Sequence, residues 1–149
     1  MKESVVTDST CLIALEQIGL LDLLPSLFDP IQAPPEVHRE CGNTPNWLTV
    51  AAPTDAALVR ALKMAIDDGE AETIALACER NWRVILDDLQ AREVAHRMGL
   101  EIIGTVGILV RAKRTGLLAE VSPALQMLTT SGFYLSGPLK MEVLRLAGE

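Results

Sequence analysis

The chain has 149 residues, enough for one domain (1–149) with a real core. Hydrophobic residues make up 49% and mean hydropathy is +0.26, which excludes a disordered chain. A net charge of -7 excludes a general nucleic-acid binder unless a cation or a local basic patch offsets the acids, and 3% aromatic residues argue against extended base-stacking surfaces.

The low aromatic content leaves an aliphatic core, which suits a parallel sheet buried between helices. Cys11, Cys41 and Cys78 are odd in number, widely spaced and free of any C-x-x-C pattern, so they read as reduced thiols. No signal peptide is visible, and no apolar run is long enough to cross a membrane. A cytoplasmic protein with no membrane association is therefore expected.

In chain order, Ser4-Val5-Val6-Thr7-Asp8 is a β-branched run ending at an acid, followed by a capped helix over 11–18 that stops at Gly19. Residues 20–28 predict a helical turn or two, with Pro25 at a first helical position. Residues 30–33 are extended. Pro34-Pro35 opens a helix over 36–41, ended by Gly42. Residues 43–53 read as a loop with an exposed Trp47 and a short extended run over 48–51.

Thr54-Asp55 caps a helix to residue 66, Asp67-Asp68-Gly69 breaks it, and a second helix covers 70–80. Residues 83–87 form a strand and 88–98 a helix closed by Gly99. A strand over 100–103 and a helix over 105–115 follow. Ser122-Pro123 starts a helix to residue 130, 133–135 reads as a last strand, and 138–147 as a final amphipathic helix. Strands alternating with helices predict a three-layer α/β/α sandwich around a mostly parallel sheet.

Acids recur at the junctions of this pattern. Asp8 ends the first strand, where ligands bind in open parallel sheets, but it is equally good as a helix N-cap. Glu40 sits in the last turn of its helix, against the negative end of the dipole. Glu70 and Glu72 share a first turn, where the dipole favours both; Glu70 lies at the edge of the apolar stripe and Glu72 points away, so Glu70 is the better inward candidate. Asp87 and Asp88 end a buried strand together and repel unless something positive stands beside them. A divalent cation would account for both, and carboxylates without a His or Cys cluster suit Mg²⁺ or Mn²⁺ and not zinc.

His38 and His96 are isolated and read as surface residues. The run Arg111, Lys113 and Arg114 completes a helix dipole, with phosphate contact as the lesser alternative. No P-loop, G-x-G-x-x-G or G-x-S-x-G is present. A receiver-like phospho-acceptor pocket wants a basic residue after a late strand, where this chain has Gly104-Thr105.

Asp8-Ser9-Thr10-Cys11-Leu12-Ile13-Ala14-Leu15 resembles the D-[ST]-[ST]-x-L-I-x-L opening of PIN-domain nucleases. Pro34 to Glu40, Gly69 to Ala77 and Val84 to Asp88 resemble the segments that carry that family's second, third and last acids. The remainder resembles a prokaryotic PIN-like branch often found in toxin–antitoxin-like gene pairs. The resemblance implies cleavage of RNA phosphodiesters with Mg²⁺ or Mn²⁺. Asp8 would be the central ligand, Glu40, Glu70 and Asp88 would complete the rim with Asp87 beside them, and Thr7, Ser9 or Thr10 would orient water or ligands. It also implies an antitoxin protein and a second copy of the chain as partners. The apolar faces of 20–28 and 138–147 support the homodimer. A regulatory module on the same fold, acting through a protein partner with little catalysis, is the alternative.

Overall fold

Val5, Val6 and Thr7 are β-branched and fully buried, a composition that places their strand in the middle of a sheet covered on both faces. The computed structural model describes residues 2–149. Its strands are β1 (Glu3–Thr7), β2 (Phe28–Ala33), β3 (Leu48–Val50), β4 (Arg83–Ile85) and β5 (Ile102–Ile103). All pairings are parallel, and the order across the sheet is β3-β2-β1-β4-β5. The central strand is held on both sides, with Val5 opposite Ile31 of β2 and Arg83 of β4.

Helices α1 (Ser9–Gln17) and α2 (Leu23–Leu27) connect β1 to β2, and α3 (Pro35–Cys41) leads to β3. The crossover to β4 is made by α4 (Ala56–Lys63) and α5 (Asp68–Arg80), and α6 (Leu89–Arg97) joins β4 to β5. After β5 come α7 (Thr105–Arg114), α8 (Ser122–Thr130) and α9 (Gly137–Leu146).

Alternation along the strands splits the core in two. Val5, Ile31, Ala33, Ile85 and Ile103 face a cluster with residues of α1, α2, α7 and α8. Val6, Val84 and Leu86 face the other cluster, with residues of α4, α5 and α6. The expected three-layer α/β/α sandwich is the architecture found.

Several expectations need correction. Residues 133–135 form no strand: Phe133 N donates to Leu128 O (3.0 Å), closing the end of α8, and the segment has no ladder partner. Phe133 and Leu135 pack against the core from an irregular turn. Pro25 stands inside α2, and β2 begins at Phe28, earlier than the prolines suggest. Trp47 is half-buried against the core beneath the edge strand β3. The apolar residues of 20–28 are largely consumed by the chain's own core, with Leu23, Leu24 and Phe28 buried. On α9, Leu139, Met141 and Leu146 do remain exposed.

The basic run of α7 lies at the end of the sheet where β1 begins. Arg111 donates to Glu3 (3.1 Å), Lys113 to Glu149 (2.9 Å) and Arg114 to the Leu146 carbonyl (3.2 Å). These contacts tie the C-terminal helix and β1 together, and they favour the structural reading of the run. Among the described residues, no helix is long and apolar enough to cross a membrane.

Candidate active site

The chain winds outward from β1 through β2 to β3, then returns to place β4 and β5 on the other side of β1. That reversal opens a crevice between the carboxyl ends of β1 and β4, the place where open parallel sheets take ligands. Asp8 N donates to Ile85 O (3.2 Å), one residue past the last β1–β4 pair. The backbone therefore delivers Asp8 and the Asp87-Asp88 pair to opposite lips of the same crevice.

Three aspartates at this end are helix caps. Asp8 Oδ1 accepts from Cys11 N (3.0 Å), Asp88 Oδ2 from Ala91 N (2.9 Å) and Asp67 Oδ1 from Glu70 N (2.8 Å). Capping satisfies one orphan amide at each helix start and uses one carboxylate oxygen. The second oxygen of each is left over from capping, and that of Asp88 accepts no hydrogen bond within the described residues. Capping and ligation thus do not compete, although the sequence alone offers them as alternatives.

Asp8 is 3% exposed. Burial pushes its carboxyl well above the usual aspartate range, and the charge of Asp87 adds to the shift. The amides of Cys11 and Asp87 act in the opposite direction, and Glu70 raises it further. Glu70 is pushed up to about 7, first by burial and then by the charges of Asp67 and Asp88. Glu40 is raised by burial of its carboxyl, then by Asp67 and Glu36, while Ser9 and Arg39 oppose the shift. The Glu40 residue as a whole is exposed, but its carboxylate lies directly on the start of α5: a Cβ at Gly69 would collide with Glu40 Oε1. A side chain at position 69 would push this carboxylate from its seat.

Asp87 is held differently from Asp88. Thr105 N donates to its Oδ1 (2.8 Å) and Thr105 Oγ1 to its Oδ2 (2.5 Å), so both oxygens are engaged. Burial raises its carboxyl, while Thr105 and the charge of Arg92 lower it. Gly104 makes room for this arrangement: a Cβ there would stand 2.7 Å from Arg92 Nη1 and 3.0 Å from Asp87 Oδ1. The positive neighbour that two adjacent acids require is partly supplied by Arg92.

Thr105→Val should cost about 1–3 kcal/mol, because it leaves a buried carboxylate oxygen without its hydroxyl donor. The loss should be largest near neutral pH and shrink as the pH falls through the folded-state value of Asp87, which burial raises above the ordinary aspartate value of 3.8. Urea denaturation across that range measures it.

The remaining candidates fall as follows. Thr7 is buried, and its hydroxyl donates to the Asp8 carbonyl (3.1 Å). Ser9 opens α1 beside Glu40. Thr10 is exposed on α1. Glu72 turns toward α3 and accepts from Glu36 N (3.3 Å), leaving Glu70 nearer the other acids. His38 is exposed and meets Thr44 Oγ1 (3.0 Å). Sequence reasoning missed Asp67, Thr105 and Arg92. Asp67 carried a signal as the last polar residue before a helix, whereas Thr105 and Arg92 acquire their roles from a distant strand end.

The donors at this rim are hard carboxylate oxygens, the kind that Mg²⁺ and Mn²⁺ take. The thiols add nothing: burial pushes Cys11 far up, and Cys41 rises to about 11. The electrostatic neighbours are Asp8 with Asp87, Asp8 with Glu70, and Glu70 with both Asp67 and Asp88. Among the described residues, no group of three Asp, Glu, His or Cys side chains is set to hold a metal ion. The fit is therefore one of donor chemistry and charge, with the acids ringed around the crevice and not drawn together.

A parallel α/β sheet with acids ringing its switch point defines an α/β domain with an acid-lined crevice. A PIN-domain family model matches residues 4–149, and the chain belongs to the PIN-domain family. Membership suggests a nuclease-like function, and domains of this family generally use divalent metals. A search of curated proteins finds no match to the chain.

Proposed function

We propose that this chain is a Mg²⁺- or Mn²⁺-dependent ribonuclease that hydrolyses RNA phosphodiester bonds, with Asp8, Glu40, Glu70 and Asp88 as the ion's ligands. The observation that carries the reading is the set of mutually repelling carboxylates at the β1–β4 crevice, where Asp8 and Asp88 each keep one oxygen free of helix capping. A bound divalent ion supplies positive charge that activates water and offsets charge on the phosphate. The chain's own groups position the reactants. Asp8 is fixed by the first turn of α1, Glu40 rests on Gly69, and Asp87 is pinned by Thr105 with both oxygens occupied. Asp88 is the freer member of the adjacent pair and the better donor.

The same reading makes the protein a cytoplasmic toxin of a toxin–antitoxin pair, with an antitoxin protein and a second copy of the chain as partners. A panel of unstructured and hairpin RNAs, incubated with Mn²⁺ or with EDTA, tests the activity. Cleavage with Mn²⁺ that EDTA stops is expected; intact RNA under both conditions would count against it. The second reading is a binding module with little catalysis, and the spread of the acids favours it. A protein partner that binds tightly to a chain with no divalent-ion affinity would decide for it.

A further inference from the structure

A groove of about 560 Å³ leaves the acidic crevice at Asp87 and runs between β5, α7 and α9. Arg92 lines it next to Asp87. The residue is half-buried, and among the described residues its guanidinium makes no hydrogen bond and no close ion pair, although its charge acts on Asp87. Arg39, Arg80, Arg83, Arg111, Arg114 and Arg145 all donate to a partner within the chain. Arg60 and Arg97, which have none, are exposed. Arg92 thus combines partial burial with unspent donors, at the junction of groove and crevice.

Two further features give the groove its chemistry. It is lined by three arginines against two acids, on a chain whose net charge is -7. It also holds Phe133 and Tyr134, two of the five aromatic residues of the whole sequence. Tyr134 is 75% exposed, although a ring usually buries much of its surface. A planar face and a guanidinium with unused donors, lining one groove, match a nucleotide strand, whose bases stack and whose phosphates accept from arginine.

We propose that Arg92 binds a phosphate next to the scissile one and that Tyr134 stacks a base of the same strand, so that the groove carries single-stranded RNA away from the crevice. The inference rests on the ribonuclease reading and adds to it a substrate path and two binding residues. Neither side chain is among the proposed ion ligands, although the charge of Arg92 also acts on Asp87. The apolar walls contributed by Leu139, Val143 and Leu146 would accept sugar and base edges. Those same walls would also suit a second copy of the chain, and the test separates the two occupants.

The experiment measures binding of a fluorescein-labelled single-stranded oligoribonucleotide by anisotropy in EDTA, over a series of salt concentrations. Wild type is compared with Arg92→Gln, Arg92→Lys, Tyr134→Ala and Tyr134→Phe, all checked for thermal unfolding and for mass by light scattering. Arg92→Gln should weaken binding roughly tenfold and lower the salt slope by about one, with Arg92→Lys restoring much of the slope. Tyr134→Ala should weaken binding roughly fivefold or more, and Tyr134→Phe should not. A purely structural Arg92 would alter thermal unfolding and leave the salt slope unchanged. Wild-type cleavage with Mn²⁺, together with variants that bind RNA as wild type does, overturns the groove proposal and leaves the ribonuclease reading standing. A change of mass on Tyr134→Ala with unaltered RNA affinity also overturns it and assigns the groove to a second copy. Wild type that neither binds nor cleaves RNA overturns both.

Discussion

Asp8→Asn is expected to lower divalent-dependent RNA cleavage by at least about a hundredfold while leaving the fold in place. The two halves of the expectation have separate causes. Asparagine caps a helix as well as aspartate does, so the bond to Cys11 N survives and α1 keeps its start. What is lost is a buried negative charge beside Asp87 and Glu70. Without metal that charge opposes folding, because burial and two acidic neighbours disfavour it. The metal-free variant should therefore unfold at the same temperature as wild type or higher, while the affinity for Mn²⁺ falls with the activity. Thermal unfolding in EDTA and initial rates with Mn²⁺ measure the two halves independently. A variant less stable and less active to the same degree would instead point to a structural Asp8.

The metal-free protein is expected to lose stability as the pH rises from about 5 to 7.5, and divalent ion is expected to restore it. The sign follows from four groups. Asp8, Glu40, Glu70 and Asp87 all have raised carboxyls in the folded state. Each holds its proton more tightly when folded than when unfolded. Between the unfolded and folded values the native state binds more protons, so stability falls as pH rises through that window. For Glu70 the window runs from 4.5 to about 7. Its contribution is on the order of 1–2 kcal/mol once solvent screening of a part-exposed group is allowed for.

Glu3, Glu79, Glu142 and Glu149 are lowered, Glu3 despite partial burial and through Arg111 and Arg83. Their stabilisation is present above the unfolded value of 4.5 and is lost as pH falls through the folded values, so they act on the acid side. Above pH 5 the acidic rim governs the slope. Saturating Mn²⁺ at pH 7.5 should add about 2.7 kcal/mol at a hundred times its dissociation constant, or several degrees in Tm. Urea titrations at successive pH values, with and without Mn²⁺, measure both effects. A stability that rises steadily to pH 7.5 in EDTA would contradict the assigned crowding of the acids.

Most of the fold was legible because its signals are local. The β-branched run before Asp8, the Pro34-Pro35 start of α3, the Asp caps and the glycines after α1, α3 and α6 each act within a few residues. The misread segments were those decided at a distance. Residues 133–135 have strand character, but the sheet already ends at β5, and Phe133 is used to close α8. Phe28 belongs to β2 because it pairs with Glu3 of β1, a contact that no local pattern announces.

The site divides in the same way. Strand-end acids are visible in one dimension, and Asp8, Glu70 and Asp88 do gather around one crevice. The division of labour between Asp87 and Asp88 is not visible, because it depends on Thr105 arriving from beyond β5. The close seat of Glu40 likewise depends on Gly69 in a different helix. The alternatives of cap and ligand, posed for Asp8 by its sequence position, dissolve in three dimensions because a carboxylate has two oxygens.

If these acids form a divalent-ion site, calorimetric titration of Mn²⁺ into the purified protein at pH 7.5 will register it. Saturable binding to wild type is expected, at least about tenfold weaker in Asp8→Asn and in Asp88→Asn, with Glu72→Gln indistinguishable from wild type. No saturable heat with wild type at millimolar Mn²⁺, or equal affinity in wild type and Asp8→Asn, would contradict it.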